Sequence, residues 1–182
     1  MKGFETDIDG LIILEPKIFG DSRGYFYESY NKKALSGLDI DYNFVQDNQS
    51  KSSYGVIRGL HFQKEPHAQT KLIRVLEGSI YDVVVDLRPG SRTYGEWMGF
   101  NLSSDNNQQL LIPKGFAHGF STLSEYATIL YKCDEYYNFE FDGGIRYNDP
   151  QLNIDWKVPT DKIIVSEKDN NLPYSQNVSF DN

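Results

Sequence analysis

Two of the three histidines stand among cations and glycines. His61 lies in Arg58-Gly59-Leu60-His61-Phe62-Gln63, followed by Gln69-Thr70-Lys71, and His118 lies in Pro113-Lys114-Gly115-Phe116-Ala117-His118-Gly119-Phe120. Imidazole exchanges protons near neutral pH, and glycine flanks let the backbone bend so that side chains converge. The pattern points to proton-transfer chemistry, with His61 as the expected general base. Arg58 and His61, three positions apart, face opposite sides of a regular strand, and a bulge at Gly59 would bring both into one cavity. A buried histidine satisfied by a backbone carbonyl is the other reading. Lys71 begins a strand whose same-face neighbours Ile73 and Val75 are apolar, which suits an ammonium held at a pocket rim against a developing enolate; a solvated strand-end lysine is the alternative. Asp82 shares a face with Ile80 and Val84, where an unpaired carboxylate is costly, so it is expected either to orient His118 or to serve as a structural acceptor. Arg23, Arg58 and Lys168 make a cation set suited to a diphosphate.

The elements that must position these groups read as strands. Short β-type runs punctuated by Gly, Pro, Asn and Asp occur at 11–14, 24–30, 72–76, 79–86, 96–102, 109–112, 128–131 and 163–165. In the 79–86 run, Ile80, Asp82 and Val84 fall on one face and Tyr81, Val83 and Val85 on the other, so this strand is expected between two layers. A short helix is expected over 31–36, capped by Asn31 and stopped by Gly37, and a short turn over 103–107. No repeat, low-complexity segment or linker interrupts the chain, although the polar tail after about residue 170 is expected to be mobile. Many short antiparallel strands in one domain of 182 residues suit a sandwich, barrel or jelly roll.

Composition excludes several function classes. The net charge of -8 lacks the basic excess that nucleic-acid binding requires, and no apolar run approaches the roughly 20 residues that span a bilayer. The single cysteine, Cys133, forms no internal disulfide, and no secretory leader is legible, so a cytoplasmic location is expected. Neither a dinucleotide fingerprint nor a P-loop is present, because Arg88-Pro89-Gly90-Ser91 is a turn signal.

From Phe19-Gly20-Asp21-Ser22-Arg23-Gly24-Tyr25-Phe26 to Val165-Ser166-Glu167-Lys168-Asp169, by way of Phe44-Val45-Gln46-Asp47-Asn48, Arg58-Gly59-Leu60-His61 and Gly115-Phe116-Ala117-His118-Gly119-Phe120, the chain resembles the dTDP-4-dehydrorhamnose 3,5-epimerases. The resemblance implies an all-β, cupin-type jelly roll (a double-stranded β-helix) with a few short helices, forming one domain over 1–182. It implies a cofactor-free isomerase that inverts C3 and C5 of dTDP-4-dehydro-6-deoxy-D-glucose, giving dTDP-4-dehydro-L-rhamnose for cell-wall polysaccharide. His61 would be the base, Asp169 its partner, Tyr131 the acid on the opposite face of the sugar, and Lys71 the enolate-stabilising cation. Phe19, Arg23, Glu28, Gln46, Asn48, Arg58, His118, Tyr137, Asp142 and Lys168 match substrate-contacting positions, some supplied by the second subunit of a homodimer. Asp142 stands where relatives often carry glutamate, and Tyr147 where tryptophan is common. Metal-binding cupins of related fold use a His-x-His pair that is missing around His61, so no metal is expected. A non-catalytic sugar-binding cupin and an epimerase acting at one carbon are the rival readings.

Overall fold

The computed structural model describes residues 1–178; residues 179–182 of the polar tail lie outside the described residues. Strands β1 (Lys2–Glu5), β2 (Ile12–Glu15), β3 (Phe19–Asp21) and β4 (Gly24–Phe26) precede a short helix α1 (Lys32–Ser36). There follow β5 (Gln46–Ser53), β6 (Val56–Gln63), β7 (Lys71–Glu77), β8 (Ser79–Asp86), β9 (Trp97–Ser103), β10 (Gln109–Ile112), β11 (Phe116–Thr122) and β12 (Tyr126–Cys133). The chain ends with β13 (Asp142–Gly144), β14 (Ile164–Val165) and helix α2 (Glu167–Asn170).

Strands β5 to β12 alternate between two facing sheets, apart from the β8–β9 hairpin. One sheet runs β1-β2-β10-β7-β12-β5 and the other β13-β6-β11-β8-β9, with β14 pairing parallel to β6. This is a jelly roll, and it is all-β apart from the short helices. The expected position of β8 between two layers is what is found. Ile80 and Val84 enter the core between the sheets with Ile73, Val75, Leu110 and Phe120, while Tyr81, Val83 and Val85 pack outside against Leu152, Trp156 and Ile145. Both faces are dry because residues 145–178 cover the outer one.

Helix α1 forms as the cap signals require: Asn31 Oδ1 accepts the Ala34 N–H, and Gly37 is its C-cap. It lays Leu35 over Leu14, Leu72 and Leu111 on the outside of the first sheet. The strand expected over 24–30 ends at Phe26, where it leaves its hairpin partner β3; beyond it Ser29 and Tyr30 lead into the α1 cap. The 103–107 segment is a turn, closed by the Asn107 N–H to Ser103 O. Tail residues 171–178 remain bonded to the body, with Arg146 N–H donating to Pro173 O and Ser175 N–H to an Asp149 carboxylate oxygen.

Candidate active site

One end of the space between the sheets is filled by apolar side chains. The other is a cavity of about 540 Å³ lined by Arg58, His61, Lys71, His118, Tyr131, Lys168 and Asp169, with Ser50, Phe120 and residues 164–166 completing the wall. The polar inner face of β5 explains why this end stays open. Its inward residues are Gln46, Asn48, Ser50 and Ser52, none of which can contribute apolar area to a core.

Strand β6 carries the expected base. Between its pairings with β11, three steps from Arg58 to His61 oppose two from Phe120 to His118, so the ladder gains one residue at Gly59. That bulge brings Arg58 and His61 to the same cavity, as the glycine suggested. Gly59 has φ +118°, and a Cβ there would lie 2.5 Å from the Gly119 Cα and 2.7 Å from the His118 carbonyl oxygen. Only glycine fits such an approach.

His61 Nε2 lies 2.8 Å from Asp169 Oδ1, and the Gly59 N–H donates to Asp169 Oδ2 at 3.1 Å. An ionised carboxylate only accepts, so His61 Nε2 carries the hydrogen and Nδ1 holds the basic lone pair. Asp169 reaches β6 across 108 residues because β14 runs parallel to Val56 and Ile57 and hands the chain to α2 above the base. Burial would raise the Asp169 carboxyl, but the bond and charge of His61 and the Gly59 N–H hold it below the usual carboxylate range.

His118 is the cross-strand partner of His61 and bonds through Nε2 to Asp82 Oδ2 at 2.8 Å. Of the two readings of Asp82, the geometry therefore favours orientation of His118. Burial pushes the Asp82 carboxyl up, opposed by His118 and Lys71, and its Oδ1 has no hydrogen-bond partner among the described residues.

The opposing sheet supplies Lys71 and Tyr131. Lys71 is paired with Cys133 across the ladder, and Tyr131 with Ile73. Desolvation lowers the Lys71 pKa, although the nearby Cys133, Asp142 and Asp82 work against it. Desolvation raises the Tyr131 phenol, which keeps it protonated at neutral pH. The same effect lifts the buried Cys133 thiol to about 11, so it is no nucleophile.

Cations gather here despite the acidic chain. Arg58 is steadied by its Nε donating to Ser52 Oγ at 2.9 Å, and Lys168 is bonded to Asp142 at the mouth. Asp142 Oδ2 also accepts from the Tyr137 hydroxyl at 3.3 Å. Gln46 and Asn48 are bonded to each other on β5 at 3.1 Å. Gln46, Asn48, Tyr137 and Asp142 are not among the residues that line the cavity, and three further expected contacts stand apart from it within this chain. Phe19 and Arg23 lie on the exposed β3–β4 hairpin, where Arg23 pairs with Asp21, and Glu28 accepts from Asn31 beside α1. Tyr147 packs with the outer cluster of Trp156 and Leu152, away from the cavity. Ser52 and Gln63 escaped sequence reasoning. Ser52 offered no signal, because every residue of β5 is polar and nothing in its sequence marks the inward face, and Gln63 offered none beyond its place in the His61 motif.

No group of three or more His, Cys, Asp or Glu side chains suited to a metal ion occurs among the described residues. No helix among them is long and apolar enough to cross a membrane.

Comparison with known proteins adds an independent line. The family model described as dTDP-4-dehydrorhamnose 3,5-epimerase matches residues 5–177. The Escherichia coli K12 dTDP-4-dehydrorhamnose 3,5-epimerase is 51% identical over 173 residues, covering 94% of this chain and 93% of that protein. The crystal structure of the Bacillus anthracis enzyme with TDP and pyrophosphate bound superposes with a TM-score of 0.92 at 54% identity, over 95% of this chain and 98% of that one. The Legionella pneumophila dTDP-6-deoxy-D-glucose-3,5-epimerase in complex with dTDP-4-keto-L-rhamnose superposes at 0.93 with 47% identity, over 98% and 94%.

Proposed function

The chain belongs to the dTDP-4-dehydrorhamnose 3,5-epimerase family, and from that premise we propose how its cavity performs the epimerisation of dTDP-4-dehydro-6-deoxy-D-glucose at C3 and C5. The observation that carries the reading is the placement of two proton-transfer groups on opposing walls: His61 on β6, bonded to Asp169 of α2, and Tyr131 on β12, with Lys71 beside the latter. A 4-keto sugar held between the two sheets loses a C–H proton to one wall, and the flat enolate that results regains a proton from the other, which is inversion.

The C4 ketone acidifies the C3 and C5 hydrogens. His61 Nδ1 takes the C–H proton, the electron pair moves onto the C4 oxygen, and Asp169 stabilises the imidazolium. The Lys71 ammonium faces the oxyanion; being poorly hydrated, it gains more from that charge than a solvated lysine would. Tyr131 returns a proton to carbon from the other side, and solvent restores both groups. His118, aligned by Asp82, adds a second imidazole to the cavity wall. Arg58 and Lys168 receive the diphosphate, and Gln46, Asn48, Tyr137 and Asp142 line the approach for the nucleotide. The chemistry requires no redox cofactor and no metal. The enzyme is an isomerase of dTDP-rhamnose biosynthesis, working in the cytoplasm as a homodimer. The dimer is supported by the solvent-exposed Phe19, Tyr25 and Phe26 on the β3–β4 hairpin, which places Phe19 and Arg23 for delivery to a second subunit's cavity.

Proton NMR of the 4-keto sugar nucleotide in deuterated water tests the reading. Exchange at both C3 and C5 with inverted product is expected. Exchange at one carbon makes this a monoepimerase, and none at all with dTDP still bound makes it a binding protein.

A further inference from the structure

Gln63 ends β6 two residues beyond His61 and is buried, at 7% exposure. Its amide is fully committed. Nε2 donates to the carbonyls of His67 at 2.7 Å and Tyr136 at 3.3 Å, while Oε1 accepts the Asn138 N–H at 2.7 Å. Two of these bonds bracket Tyr137 in the chain. From the far side, Gln46 Oε1 accepts the Tyr137 N–H at 3.2 Å. Asn138 extends the brace, its Nδ2 lying 3.0 Å from His67 Nε2 and its Oδ1 accepting the Glu140 N–H.

The loop so held has little apolar anchorage, since Tyr136, Tyr137 and Phe139 are all exposed. Side-chain amides bonded to its backbone hold it, and Gln63 supplies two of those bonds while its third ties the amide to the His67 carbonyl. Tyr137 is the residue this arrangement presents. Its hydroxyl donates to Asp142, which in turn is bonded to Lys168 on the cavity wall. The ring is thereby tied through Asp142 to Lys168, one of the two cations assigned to the diphosphate, next to which the planar base of a nucleotide would lie.

We infer that Gln63 is a positioning residue that fixes Tyr137 to receive the nucleotide end of the substrate. The inference rests on the nucleotide-sugar reading above. Base stacking on an aromatic ring is worth about 5- to 150-fold in Kd by alanine substitution, and a loop that holds its binding conformer only about a tenth of the time weakens binding about tenfold.

The test uses Gln63→Leu, Gln63→Glu and Tyr137→Ala in the full chain, with dTDP Kd by titration calorimetry and kcat and KM on the 4-keto sugar nucleotide. Gln63→Leu is expected to raise Kd and KM about tenfold with kcat within about twofold. Gln63→Glu keeps the acceptor for Asn138 but turns a second acceptor oxygen toward the His67 and Tyr136 carbonyls, and is expected to weaken binding at least as much. Because Gln63 acts through Tyr137, the double variant Gln63→Leu, Tyr137→Ala should bind dTDP no more weakly than Tyr137→Ala alone. Additive losses, or a fall in kcat at unchanged Kd, would overturn the inference. Should Gln63→Leu fail to fold, Gln63→Glu carries the same cycle. A wild-type protein that binds dTDP but exchanges no sugar proton refutes the epimerase reading instead, and the dTDP cycle still decides the role of Gln63.

Discussion

Replacing Asp169 by asparagine should disable the base while leaving the site almost isosteric. Two donors converge on this carboxylate, the Gly59 N–H at Oδ2 and His61 Nε2 at Oδ1. Asparagine has one oxygen. The backbone N–H of Gly59 can only donate, so the amide oxygen turns to it and the NH2 faces His61. The imidazole then accepts at Nε2 and carries its hydrogen on Nδ1, which removes the lone pair that takes the substrate proton. The charge is lost as well. Two unit charges about 4 Å apart interact by about 4 kcal/mol at an effective dielectric constant of 20, an upper bound on what the carboxylate contributes to holding the proton taken from the sugar. A wrong tautomer in the comparable serine-protease triad costs about 10⁴ in kcat, so a loss of about 10³ to 10⁴ is expected here. Solvent exchange at C3 and C5 should fall with turnover, because no enolate forms, while dTDP affinity holds within about threefold. Exchange in deuterated water followed by NMR, alongside dTDP calorimetry, measures both quantities. An Asp169→Asn enzyme within tenfold of wild-type kcat would show that the pair does not set the tautomer and that the base lies elsewhere.

Tyr131→Phe keeps the base and loses the donor, so solvent exchange at the sugar should persist while inverted product falls about 10²- to 10⁴-fold; equal loss of both would move Tyr131 from acid to carbonyl polariser. Turnover is expected to survive exhaustive chelation, and inactivation by EDTA reversed by a divalent ion would refute the metal-free reading. Asp86 is buried, which by itself raises its pKa, yet bonds from Arg88, Ser91 and Thr93 hold it at about 2. Its folded pKa lies below the unfolded value near 4, so its contribution is complete above about pH 4 and disappears as pH falls toward 2. Asp86→Asn should cost about 3 kcal/mol at pH 7, and urea titrations should show that gap narrowing at pH 2.5; a gap independent of pH would refute the assignment. Light scattering at micromolar protein should report twice the chain mass of 20.9 kDa, and a monomer would remove the partner hairpin from the site.

Local chemistry made part of this protein legible from residues alone. The apolar alternation of 79–86 placed β8 between two layers, Asn31 and Gly37 bounded α1, and the glycine before His61 marked a bulge, because each depends on neighbours within a few positions. Strand β5 was missed because its inner face is polar: a hydrophobic period reports burial in a core, and this strand lines a cavity instead. The pairing of His61 with Asp169 came only from family resemblance, and nothing local in Ser166-Glu167-Lys168-Asp169 distinguishes it from a surface acid. It exists because β14 pairs parallel with β6 and brings α2 over the base. The bond between Asp82 and His118 likewise depends on the register of β8 against β11. Sequence determined which side chains were available and where the backbone could bend. Only the tertiary structure decided which of them meet, since contacts between residues far apart in the chain follow from sheet order and register, and neither is written in any single segment.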